Sequence, residues 1–124
     1  MRTIVSDLTH AEAAKHIWWT IVPSLHIGQK IGVLVSRKHL EGCMEDLRAA
    51  MVDKARFDPA KNEYREYKTV QAFGVNNTKV IYIAIDINDL RGFSFAWVWT
   101  PSERRDDLYL IMEHGNERVI ISHD

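Results

Sequence analysis

The sequence predicts an α+β fold, with two amphipathic helices in the N-terminal half packed on one face of a mostly antiparallel sheet of five to six strands. Three observations carry this expectation. Helix-period apolar stripes occur only ahead of Pro59, in residues 10–22 and 36–53. Short apolar runs bounded by turn residues fill the rest of the chain. The longest of them, Val80 to Thr100, reads as two strands joined at a polar turn over 88–92.

Thr9-His10-Ala11-Glu12 has the form of a capping box, so a helix is expected to begin near His10. On a period of 3.6, Ala14, Ile17, Trp18 and Ile21 share one face, Trp19 falls on the polar one, and Pro23 closes the element. Lys30 to Val35 is short, apolar and flanked by glycine and serine, as a strand would be. Ser36 is placed to cap a second helix in which Leu40, Met44, Leu47 and Met51 form the stripe. Gly42 interrupts it at a cost of ~1 kcal/mol against alanine, which points to close packing there or an imperfect first turn.

Asp58-Pro59 breaks the helical pattern, and 60–66 reads as a polar linker or a short helical turn. Loose alternation over 67–75 and the turn at Asn76-Asn77-Thr78 predict a hairpin, its register deciding whether Phe73 or Ala72 faces the core. Within 80–100, pairing Ile87 with Phe93 gathers Ile81, Ile83, Ile85, Ile87, Phe93, Phe95, Trp97 and Trp99 on one face. The other face then carries Tyr82, Ala84, Asp86, Ser94 and Ala96, a shallow floor left to solvent or to a ligand. A last hairpin, 108–114 with 117–122, is expected around Gly115-Asn116, because its register brings Glu113 to Arg118 and Met112 to Val119.

With 124 residues, ~65% of the unfolded surface can be buried, which suits one domain spanning 1–124. A net charge of −1 gives no global field for nucleic acid or an anionic membrane. No apolar run approaches the ~20 residues of a membrane helix. One cysteine, Cys43, and no leader in residues 1–20 fit a reducing cytoplasm.

Chemistry-bearing patterns are sparse. The six histidines, His10, His16, His26, His39, His114 and His123, show no metal-ligand spacing, so no metal or cofactor is expected. Glu66, Lys68 and Asp86 stand in the wrong order for a nuclease signature. Gly28 and Gly32 around Lys30 do not make a phosphate loop.

Arg91-Gly92-Phe93-Ser94-Phe95-Ala96-Trp97-Val98 resembles the octapeptide of RNA-recognition-motif domains, with Ser94, Ala96 and Val98 departing from that pattern. The resemblance implies bases stacked on Phe93 and Phe95. By elimination the residues favour a small intracellular protein that occludes or regulates a protein partner, of the inhibitor, immunity or regulatory-subunit type, and a binding protein over an enzyme. Its contact residues would be Trp19, Tyr82, Asp86, Arg91, Arg104 and Arg105, since tryptophan and arginine are over-represented at binding hot spots. The alternatives are a single-stranded nucleic-acid binder using the Arg91-Gly92-Phe93 strand, and a small-molecule binder or enzyme with a histidine and Asp86 or Tyr82 inside a curled sheet. An exposed Trp19 or an unpaired edge strand would support a homodimer.

Overall fold

The computed structural model describes residues 3–55, 62–66, 71–75, 78–112 and 118–124. In chain order the strands are β1 (Thr3–Val5), β2 (Ile31–Leu34), β3 (Asn62–Glu66), β4 (Gln71–Val75), β5 (Thr78–Ala84), β6 (Trp97–Thr100) and β7 (Arg118–Ile121). The α-helices are α1 (His10–His16), α2 (Val22–Ser24), α3 (Leu40–Ala55) and α4 (Arg105–Leu108). The strands form one sheet in the order β1-β7-β6-β2-β5-β4-β3. Its first five strands run parallel, and β4 and β3 complete it as an antiparallel meander on β5.

The mostly antiparallel sheet expected from the sequence is therefore wrong in strand direction, although mixed α and β structure is present. The 80–100 segment is not a hairpin. β2 lies between β5 and β6, hydrogen-bonded in parallel to both. Twelve residues, 85–96, separate β5 from β6, about what a parallel crossover needs and far more than a tight turn uses. Neither face of these strands is left to water. Ile31 to Leu34 is buried at every position, and Ile81, Ile83, Ala84, Val98, Trp99 and Thr100 are buried in β5 and β6. Such two-sided burial is the signature of parallel strands.

α1 and α3 cover one face. Ala13, Ala14, Ile17, Trp18 and Ile21 from the first helical segment meet Met44, Leu47 and Met51 of α3 over Ile31, Val33, Ile81, Ile83 and Trp99. The expected helix faces are thus both correct. The capping box forms as read: the Glu12 amide donates to Thr9 Oγ1, and the Thr9 amide donates to Glu12 Oε1. After α1 the helix widens into a π turn over Ile17–Ile21, in which the Val22 amide reaches back to the Ile17 carbonyl. Pro23, which has no N–H for the ladder, follows at once. Gly42 lies on the exposed side of α3 with open space around it, so no neighbour requires a glycine there.

The opposite face is covered by the crossover and by α4. Leu90, Phe95, Leu108 and Ile111 pack there on Leu34, Ala84, Val98 and Val119. Phe95 thus lies across the sheet from Trp97 and Trp99, against expectation. A Cβ on Gly32 would meet the Phe95 ring at 2.9 Å, so the glycine lets the crossover lie against the sheet. Phe93 stacks on Tyr82 with ring centroids 4.9 Å apart.

β4 and β5 pair antiparallel as expected, with residues 76–77 between them outside the described residues. Phe73 points to the helices, edge-on to Trp18. Part of the expected linker, Asn62–Glu66, is instead strand β3. The last expected hairpin does not form: 105–111 is helix and turn, and β7 pairs in parallel with β1 and β6. Residues 113–117, including His114, lie outside the described residues.

Candidate functional site

After β2 the chain turns through α3 toward β5, whereas after β6 it turns through α4 toward β7. β2 and β6 are neighbours, so their connections leave in opposite directions. A crevice opens at such a point beyond the carboxyl ends of the strands. Here it is a cleft of about 600 Å³ lined from three strand ends and the start of α1. β2 contributes Ser36, Lys38 and His39; β6 leads into Pro101, Ser102, Glu103 and Arg104; β7 leads into Ser122, His123 and Asp124; and α1 supplies His10.

Polar groups from distant segments hold one another here. The Trp99 indole N–H donates to Ser122 Oγ at 2.9 Å, and that oxygen lies 2.7 Å from His10 Nδ1. His10 Nε2 meets the Asp124 carboxylate at 2.8 Å. With the Ser122 hydroxyl donating to Nδ1 and the ring N–H on Nε2 donating to Asp124, every group in the chain is satisfied. Across the cleft Ser36 Oγ lies 2.9 Å from His39 Nδ1, and the Ser36 amide donates to Ser102 Oγ. The two imidazoles are neighbours, with centroids 5.9 Å apart and planes tilted by 59°. On α3, burial holds the Asp46 carboxyl above the usual carboxylate range. Among the described residues no three His, Cys, Asp or Glu side chains converge as a metal site needs.

Arg104, expected to meet a partner, turns inward instead. Its guanidinium donates to the Val35 and Ile85 carbonyls, just past the ends of β2 and β5, and to Asp107 at 3.2 Å. It is a positioning residue that ties two strand ends to α4. By contrast Lys38 and Glu103 are exposed on the rim and carry no ion pair among the described residues.

The six contact residues expected from the sequence do not form one surface. Trp19, 57% exposed, stands on the helical face beside Leu8, Glu12, Lys15 and His16. Tyr82 is on the opposite face under Phe93. Asp86 Oδ1 caps the turn at Asn88, while Arg91 and Arg105 are exposed in separate segments. Of the six, only Arg104 lines the cleft. The stacking platform expected for single-stranded nucleic acid is absent, since Phe95 is 1% exposed. Nor do Asp86 and Tyr82 line the pocket foreseen for a small molecule. Sequence reading missed Ser36, Lys38, Ser102, Glu103 and Ser122. Their signal was positional: each follows directly or closely on an apolar run whose carboxyl end becomes the cleft.

Among solved structures the chain is similar to the large terminase of a thermophilic bacteriophage in complex with ADP, with a TM-score of 0.61 and 9% identity. A second structure of that phage's large terminase matches with a TM-score of 0.61 and 10% identity. The matches cover 98% of this chain but only 33% and 32% of the terminase chains, so the chain spans about a third of their length. No protein-family model matches the sequence, and no curated protein does. What is shared is the fold. The expected role as an inhibitor or regulatory subunit that occludes a partner does not stand, because the structures sharing the fold are large terminases, one of them holding ADP. Among the described residues no helix is long and apolar enough to cross a membrane.

Proposed function

We propose that this chain binds a nucleotide of the ADP type in the cleft at the carboxyl ends of β2, β6 and β7. The observation that carries the reading is the position of the cleft, beyond the two neighbouring parallel strands whose connections diverge. Its volume of about 600 Å³ lies within the range of small-molecule sites. Its lining supports the same reading. Lys38 Nζ and His39 Nε2 supply nitrogen donors for phosphate oxygens. The likeness to a large terminase held with ADP makes that nucleotide the first ligand to test.

The test is thermal unfolding with ADP, ATP, adenosine and inorganic phosphate, followed by calorimetric titration. A ligand that binds only the folded state at a concentration 100 times its Kd adds ~2.7 kcal/mol. In a domain of this size that raises Tm by about 10 °C. A flat Tm with all four ligands at millimolar concentration overturns the proposal.

A further inference from the structure

In parallel-sheet folds a bound phosphate is commonly seated on the amides that open the helix after the first strand. That place is already filled here. From inside, the Thr9 and Glu12 amides are taken by the reciprocal capping box. Hydrogen bonds from the Thr9 backbone, and then its hydroxyl, hold the Glu12 carboxyl below the usual carboxylate range, so a negative charge sits where a phosphate would. From outside, the end of β7 lies across the same turn. The His10 amide donates to the His123 carbonyl, the His123 amide donates to the Leu8 carbonyl, and Asp124 is fastened to His10 Nε2. The four residues between β1 and His10, Ser6-Asp7-Leu8-Thr9, contain no glycine that would let backbone wrap an anion.

The opposite wall is built differently. Ser36 follows β2 by two residues and opens a 3-10 turn over Arg37–His39 that leads into α3, and Lys38 and His39 line the cleft from that turn. Lys38 has no counter-ion among the described residues. His39 Nδ1 is satisfied by Ser36, which leaves Nε2 for a ligand. Glu103 and Asp124, on the β6 and β7 sides, repel an anion toward this wall. Resting on the nucleotide reading above, we infer that the phosphates are gripped at the β2–α3 wall by Lys38 and His39. The start of α1, with both His10 nitrogens taken by Ser122 and Asp124, contributes no donor to them.

Calorimetric titration of ADP, pyrophosphate and adenosine into the wild-type chain and into Lys38→Ala, His39→Gln, Lys15→Ala and Glu12→Gln tests this. Lys38 and the α1 residues are exposed, and His39 is only partly buried, so the folds are expected to survive; circular dichroism of each variant checks it. The expected result is an ADP and pyrophosphate affinity reduced about tenfold or more by Lys38→Ala and by His39→Gln. Adenosine affinity should not change in either, and Lys15→Ala should leave all three ligands within about twofold. Glu12→Gln should also leave ADP within about twofold. ADP binding that ignores Lys38 and His39, or that tightens severalfold in Glu12→Gln, overturns this assignment and leaves the nucleotide reading standing. Wild-type protein that binds neither ADP nor pyrophosphate overturns both.

Discussion

Replacing Gly32 with alanine tests the central packing of the fold. Gly32 sits in the middle strand, opposite Tyr82 on one side and Val98 on the other. An added Cβ would lie 2.9, 3.0 and 3.0 Å from three carbons of the Phe95 ring, where carbon atoms at rest are ~3.5–4.0 Å apart. The ring cannot swing into solvent, being 1% exposed where the crossover packs on the sheet. Forcing one carbon into so filled a site costs ~1–3 kcal/mol. With a urea m-value of ~1.5 kcal/mol/M, a loss of ~2 kcal/mol lowers the unfolding midpoint by ~1.3 M. Phe95→Leu should relieve the clash, so the double variant should be more stable than the two single losses added, with a coupling of at least ~0.5 kcal/mol. A Gly32→Ala midpoint within ~0.3 M of wild type, or strict additivity, would refute the reasoning.

Four further outcomes follow from the same geometry. Gly42→Ala fills open space on the exposed side of α3, where the backbone does not have a positive φ, and should stabilise the protein by ~0.5–1 kcal/mol in the same urea assay. Arg104→Met abandons the Val35 and Ile85 carbonyls and should cost ~1–3 kcal/mol, read as a loss of Tm. Glu12, with its carboxyl held low by Thr9, stabilises the fold above the ordinary carboxylate range and loses that contribution as pH falls through its folded value; Glu12→Gln should flatten the acid limb of a Tm-against-pH curve. Burial pushes the Cys43 thiol well above its ordinary value, with Asp46 adding to the shift, so a thiol-reactive dye should leave the native protein unlabelled and react fully in denaturant.

Local signals in this chain were legible, while those that depend on strand order were not. The Thr9 to Glu12 capping box, the buried stripes of α1 and α3 and the exposure of Trp19 follow from helical spacing alone. So does the β4–β5 pair, which joins neighbours in sequence, follow from local turn chemistry. The 80–100 segment misled because its alternation of large and small side chains looks the same whether the small face is wet or covered. Ala84 and Val98 proved to be covered by Leu90 and Phe95 from the crossover. The strands also end earlier and begin later than the expected turn over 88–92 allows, which leaves twelve residues between them, too many for a tight hairpin. The cleft was hidden for the same reason. His10, His39 and Ser122 are far apart in sequence, and only the parallel order β7-β6-β2 sets their strand ends side by side.

One hydroxyl group joins the core to the mouth of the cleft. Trp99 is fully buried in β6, yet its indole N–H ends on the same Ser122 oxygen that touches His10. That oxygen serves both rings: it accepts from the indole, and its own hydrogen is left to point at His10 Nδ1. The buried indole is thus tied to the wall of the cleft through a single shared oxygen, and removing it as Ser122→Ala would strip the same partner from Trp99 Nε1 and from His10 Nδ1.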